Sequence, residues 1–370
     1  MSPYVNNFTI YIYWFIPFLD IFYLLYLLKG RYNKRIVLLV YLFLLFLIFK
    51  KDYITALKIV SIISTILYLF YLKKYNLFKL LYTFMFLNIF IAIIQFVFLY
   101  VNPNISNLLG PTNISNLVWG KYATPTFTNF YTIFLFPRVS GWSREAGFFA
   151  SLLGITYIIY LSDKNKKIKK LKSLSNNFLF IVGFIISLSK ASISIIGIGL
   201  IIKLKRILNK IPLFLGVILF LFVVIFISNK FLLNMYYDPS NASIVHRISG
   251  YTIMSKMPIT ELFLGKENME DISIFNEYPF LSYISQYKQF AGLPNTIIHE
   301  GLITFIFYII LLYLLKVRFS GFLIITLITA TTDYFTATSF VVLGYFYVLN
   351  SIFTKNDITK KRKKLRIIWK

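Results

Sequence analysis

NFLFIVGFIISLSKASISIIGIGLII, Asn177 to Ile202, is apolar over about 25 residues, enough for one helix to cross a bilayer core. Basic clusters bracket it on both sides, Lys164 to Lys172 before it and Lys203 to Lys210 after it. Short basic loops belong on the cytoplasmic side of a membrane. A single crossing places the two clusters on opposite faces, whereas two crossings place both inside. The two-crossing reading turns within Ser187 to Ser194 and puts Lys190 at the outer face; its short arms draw on Leu171 to Asn176 or are partly shielded by neighbouring helices. The competing reading is one helix with Lys190 snorkelling to the interface.

The same pattern recurs at Phe319 to Phe353, an apolar run between basic clusters with TATTDYFTATS at its middle. A hairpin fits again, with Asp333 near the outer surface. Elsewhere the apolar runs are Phe8 to Leu28, Ile36 to Phe49, Tyr53 to Leu72, Leu80 to Val101, Ala146 to Leu161, Ile211 to Ser228 and Ile297 to Leu315. The run at Phe8 has no basic residue ahead of it and no small-residue cleavage pattern behind it, so it is expected to be a retained span. Together these predict an all-α fold: a polytopic transmembrane helical bundle of about eleven spans, ten to twelve being admissible. The whole chain, 1–370, reads as one integral membrane domain with its N-terminus outside. Two long external segments, 102–145 and 229–296, interrupt it, and a basic cytoplasmic tail, 354–370, closes it.

Composition agrees: hydrophobic residues make up 58% of the chain and charged residues 14%, with a mean hydropathy of +0.73. Cysteine is absent, which excludes disulfide frameworks and thiolate metal sites. The net charge of +26 lies in short breaks between apolar runs, so it reports orientation and contact with anionic lipid and not nucleic-acid binding. Lys50 and Lys51 are the exception, because they fall outside against the rule. Asp238, Glu261, Glu267, Glu270, Asp271 and Glu277 cluster in the second external segment and read as a solvated acidic face.

In this layout Arg138, Arg144, Glu145, Lys190, His246, Arg247, Lys256, His299, Glu300 and Asp333 all come to the outer surface. An external face offers no nucleotide sugars. Transfer chemistry there needs an activated group that arrives through the membrane, and a lipid-linked diphosphate is the usual one. Guanidinium groups suit that leaving group, since they grip phosphate oxygens in a fixed fork and offset developing charge. No acidic cluster with metal-ligand spacing appears in the early loops, where Asp20 and Asp52 stand alone, so neither a metal nor another cofactor is expected.

The stretch FPRVSGWSREAGFF, Phe136 to Phe149, carries Arg138, Gly141, Glu145 and Gly147. It resembles the R-x-x-G-x-x-x-E-x-G signature that precedes a span in bacterial O-antigen and capsular polysaccharide polymerases, within the O-antigen ligase and polymerase superfamily. Three features agree in order: Ser189-Lys190 inside an apolar stretch; His246-Arg247 followed by Pro258 and the LFLG of Leu262 to Gly265; and Asn295 with His299-Glu300-Gly301. The resemblance covers roughly Arg138 to Phe353. It implies a metal-independent inverting glycosyltransferase of the bacterial cytoplasmic membrane, joining polyprenyl-diphosphate-linked oligosaccharide repeat units on the outer face. It further implies Glu145, His299 and Glu300 as catalytic residues, Arg138, Arg247 and Lys190 as diphosphate-binding residues, and membrane lipid and a polysaccharide chain-length regulator as partners.

Departures from the family pattern define the alternatives. Related O-antigen ligases carry a His-Asn pair where this chain has Pro294-Asn295, with the histidine displaced to His299. Lys190 stands where the family more often has arginine, which keeps the charge and loses the fork. A lipid-linked oligosaccharide flippase or other transporter would show midplane charges and internal repeats; none is evident. An export channel or a non-catalytic assembly subunit is the third class. Taken singly, His299 also reads as a helix-end polar residue, and Glu145 as an ion-pair partner of Arg138 or Arg144.

Overall fold

The structure, a computed structural model, describes residues 15–30, 33–75, 77, 79–109, 132–133, 136–143, 146–162, 170–187, 192–233, 242–266, 290–332, 334–336 and 338–352. Their regular elements are helices apart from one antiparallel pair of two-residue strands, β1 (Thr132–Ile133) and β2 (Phe136–Pro137). Among the described residues three helices are long and apolar enough to cross a membrane: α3 (Tyr53–Lys74), α4 (Lys79–Val101) and, over Leu213–Lys230, α9 (Leu213–Leu233). Shorter apolar helices include α6 (Ala146–Ser162), α13 (Leu302–Leu314), α14 (Phe319–Ile328) and α15 (Ser339–Ile352). On α9, Ile218, Phe222 and Phe226 are 63%, 69% and 62% exposed at four-residue spacing. A row of that kind on one helix face suits hydrocarbon and not water.

Each run predicted as a hairpin holds two described helices. Asn177 to Ile202 holds parts of α7 (Lys170–Ser187) and α8 (Ser192–Leu208), and 188–191, where the turn is expected, lie outside the described residues. Phe319 to Phe353 divides between α14 and α15. Two other runs depart from the expectation of one continuous helix. Phe8 to Leu28 is interrupted by a short 3-10 turn, Ile16–Leu19, carrying Pro17, and then by extended Asp20, whose carboxylate caps α1 (Ile21–Leu28) through the Tyr23 N–H at 3.1 Å. The run expected as Ile297 to Leu315 is cut at Gly301, which separates α12 (Leu293–Glu300) from α13 and adopts φ 89° and ψ 158°. Only glycine enters that region freely, and no helix continues through it.

Contacts group the chain into two compact units: Met1–Gly30, Ile59–Gly199 and Ala337–Tyr347 form one, and Arg31–Lys58, Leu200–Thr336 and Val348–Lys370 the other. In the first, α4 packs against α5 (Pro103–Leu108), α6 and α7. Gly183 lets α7 approach closely, since a Cβ there would lie 3.2 Å from Leu153 and 3.3 Å from Ile89. Tyr23 is fully buried and donates its hydroxyl to the Ser64 carbonyl at 3.0 Å, tying α1 to α3.

In the second unit, α9 packs on α10 (Ala242–Lys256) and α14, α10 packs on α12, and α13 packs on α2 (Lys34–Phe49). Phe43 of α2 stacks on Phe307 of α13 with centroids 5.5 Å apart and rings 8° from parallel. Helix α2 ends in a Schellman motif: Lys51 takes the left-handed conformation (φ 65°), its N–H bonds the Ile48 carbonyl, and the Asp52 N–H bonds the Leu47 carbonyl. That turn sets Lys50 and Asp52 on either side of a sharp corner, with Asp52 capping the start of α3.

Candidate functional site

The stretch around Arg138 is anchored from α4 in the first unit. Asn88 and Gln95, both buried, are polar residues inside that apolar helix. Asn88 Oδ1 accepts the Trp142 N–H at 2.7 Å, and Gln95 Nε2 donates to the carbonyls of Gly141 and Leu109, each at 3.0 Å. Val139 N–H bonds the Ile186 carbonyl at the end of α7. Gly141 has φ +56°, and a Cβ there would collide with the Asn88 side chain, so the glycine three residues after Arg138 is demanded by both conformation and space. Arg138 itself is half-buried with Nε sealed from solvent. Arg144, Glu145, Lys190 and Asp333 lie outside the described residues, and Arg247 lies within α10 with its side chain outside them.

The second constellation forms around His299 and Glu300, where α12 ends. Leu262 to Gly265 and His299 to Gly301, two motifs far apart in sequence, meet backbone to backbone. A Cβ on Gly265 would fall 2.6 Å from the Gly301 nitrogen and closer still to the His299 carbonyl oxygen, and a Cβ on Gly301 would fall 2.5 Å from the Phe263 carbonyl oxygen. Lys266 N–H donates to the Ile298 carbonyl at 2.7 Å. In return the Lys266 carbonyl lies 2.9 Å from His299 Nδ1. A carbonyl only accepts, so Nδ1 carries the proton and the neutral ring keeps its basic lone pair on Nε2, which is buried. Lys266 also pairs with Glu261 at 3.4 Å.

On the other side of the same turn stands the α2–α3 corner. Lys50 Nζ donates to the carbonyls of Glu300 (3.0 Å) and His299 (3.3 Å), a cation on the negative end of α12. Thr55, buried, donates its hydroxyl to Glu300 Oε1 at 2.7 Å, and its N–H goes to Asp52 Oδ1 at 3.1 Å. Thr55 thus bonds both carboxyls, Asp52 through its N–H and Glu300 through its hydroxyl. The carboxyl of Glu300 is pushed up to about 8, by burial first and then by the Asp52 beside it, against the smaller pull of Thr55 and Lys50. Burial works against ionisation of Asp52 as well, but the adjoining Glu300 carboxyl, the Thr55 N–H and the Lys50 charge hold its carboxyl below the usual carboxylate range.

Of the residues singled out from sequence, His299 and Glu300 are brought together with the LFLG segment. Asp52, expected to stand alone, is corrected by this geometry, because it meets Glu300 across most of the chain. Lys50, Asp52, Thr55, Asn88 and Gln95 escaped the sequence reading as site residues. The one available signal was the placement of Lys50 and Lys51 against the positive-inside rule. Among the described residues no group of three or more His, Asp or Glu side chains gathers as a metal site would require. No protein-family model, no curated protein and no solved structure matches the chain.

Proposed function

We propose that this protein is a polysaccharide repeat-unit polymerase of a bacterial cytoplasmic membrane. It works as a multi-pass glycosyltransferase of about eleven spans whose site faces outside. The substrate is a polyprenyl-diphosphate-linked oligosaccharide. An acceptor hydroxyl attacks the anomeric carbon of the donor sugar, the bond from that carbon to the diphosphate oxygen breaks, and the configuration inverts. The resemblance gives Arg138 and Arg247 the role of diphosphate-binding forks and Lys190 that of a charge without a fork, each suited to offsetting the charge gained by a leaving diphosphate. His299 takes the proton of the attacking hydroxyl on Nε2, the nitrogen left basic by the bond from Nδ1 to the Lys266 carbonyl. Glu145 orients the acceptor. A chain-length regulator would act on the product and not on the chemistry.

The observation that carries this reading is the turn at His299. Two interlocked glycines, the Lys266 backbone and the Lys50 ammonium all fix one short segment holding a histidine of assigned tautomer beside a protonated glutamic acid. A passive loop needs no such bracing. The layout also accounts for Lys50, since a cation outside against the positive-inside rule is used to cap α12. The test is glycan made by cells lacking their own polymerase. Wild-type protein should yield ladders of many repeats, and His299→Gln at matched membrane level should yield single repeats. Transport of single repeats without polymer from the wild type would assign the chain to the transporter class instead.

A further inference from the structure

Glu300 Oε1 is bonded to Thr55, whereas Oε2 is sealed from solvent with no N–H or hydroxyl donor on it among the described residues. The neighbouring group is another carboxyl, that of Asp52, which accepts the N–H of the same Thr55. Two carboxylates held on one threonine repel, so they stay together only while one of them carries a proton. The asymmetry of the surroundings decides which. Asp52 receives the Thr55 N–H and is half-buried, whereas Glu300 has the sealed oxygen. The charged and titratable groups around the pair are Lys50 from the α2–α3 corner, His299 on α12, and the Lys266–Glu261 pair after and within α11 (Ile259–Leu264); α13 brings no charged side chain, only the Thr304 hydroxyl, which donates to the Glu300 carbonyl at 2.7 Å.

We propose that Asp52 is a positioning residue for the reaction: it and Glu300 hold a single proton between them, and that shared proton clasps the α2–α3 corner to the turn bearing His299. This rests on the polymerase reading for its functional meaning, but not for its existence. Loss of the shared proton puts two negative charges at the contact, so the clasp is present at neutral pH and released as pH rises through the range in which Glu300 ionises, about 8. Asp52 keeps its charge down to pH values below the usual carboxylate range, so acid releases the clasp only there. The turn at His299 would then lose its brace on one side, and activity would fall on the alkaline limb.

Two readouts test this on the full chain in lipid nanodiscs. Infrared titration should show a protonated carboxyl at neutral pH that disappears near pH 8, is missing in Glu300→Gln, and moves down by about one pH unit or more in Asp52→Asn, because the neighbouring anion is gone. The pH profile of polymer formation should lose its alkaline limb in Asp52→Asn, whose amide still donates to Glu300, while a merely structural Asp52 would leave the profile in place. A carboxyl band unchanged by Glu300→Gln, or absent at neutral pH in the wild type, overturns the clasp. A wild type that makes no polymer at any pH sinks the polymerase reading instead, and the infrared titration still decides the pair.

Discussion

Replacing Gly301 with alanine tests whether the His299 turn is built as described. The backbone there sits at φ 89°, ψ 158°, a region that costs an L residue roughly 1–3 kcal/mol. The new Cβ would also lie 2.5 Å from the Phe263 carbonyl oxygen and 2.6 Å from the Leu264 carbonyl carbon, both backbone atoms that cannot swing aside. Relief requires the Leu262–Gly265 segment to part from the turn, which threatens the Lys266 N–H to Ile298 bond and the His299 to Lys266 bond, each worth about 1 kcal/mol. The total is about 3 kcal/mol or more. Gly199→Ala is the matched control, since it lies on an exposed helix face with nothing within 4 Å and should be neutral or stabilise by up to about 1 kcal/mol. Thermal unfolding of the purified protein in detergent, followed by monodispersity, should show the first variant lowered by at least about 3 °C and the second unchanged or raised. Equal midpoints for Gly301→Ala and wild type would refute the interlocked-glycine account of this turn.

Other consequences are open to measurement. Lys50→Met removes the ammonium from two carbonyls at the end of α12 and should cost about 1 kcal/mol, discounted for its partial exposure, with a smaller midpoint shift than Gly301→Ala; no shift would mean that the contact is incidental. Arg138→Lys and Arg247→Lys keep charge and lose the bidentate fork, so each should reduce polymer formation by about 100-fold or more, as loss of a donor to developing charge does; wild-type ladders from both would remove the diphosphate assignment. Because the chain has no cysteine, single cysteines report orientation: Tyr53→Cys, exposed at the α2–α3 corner, should react with an impermeant thiol reagent added to whole cells, and Lys210→Cys should not. The reverse pattern would invert the topology.

Much of the helical layout was written in hydropathy. Lysine clusters on both sides of Phe319 to Phe353 pointed to a break in that run, and it is divided into α14 and α15. Hydropathy failed where a short polar cue outweighs an apolar run. Asp20 caps a helix start inside the first run, and Gly301 stops a helix that composition alone would continue. His299 and Glu300 stood out in the sequence because such residues are rare near apolar segments. Asp52 was not, since its partner lies far along the chain and no local spacing links the two. Asn88 and Gln95 were hidden for the opposite reason: they sit in the middle of a strongly apolar helix, and only the approach of Gly141 and Trp142 gives them a purpose.

The central claim, that this chain joins lipid-linked repeat units without help, is met most directly by reconstitution. Purified protein in lipid vesicles would be given a polyprenyl-diphosphate-linked oligosaccharide of defined anomeric configuration, with chelator present and no other protein. The account predicts polymer of several repeats, release of polyprenyl diphosphate in step with each bond formed, and inverted configuration at every new linkage. Substrate recovered intact, or polymer with retained configuration, would contradict it.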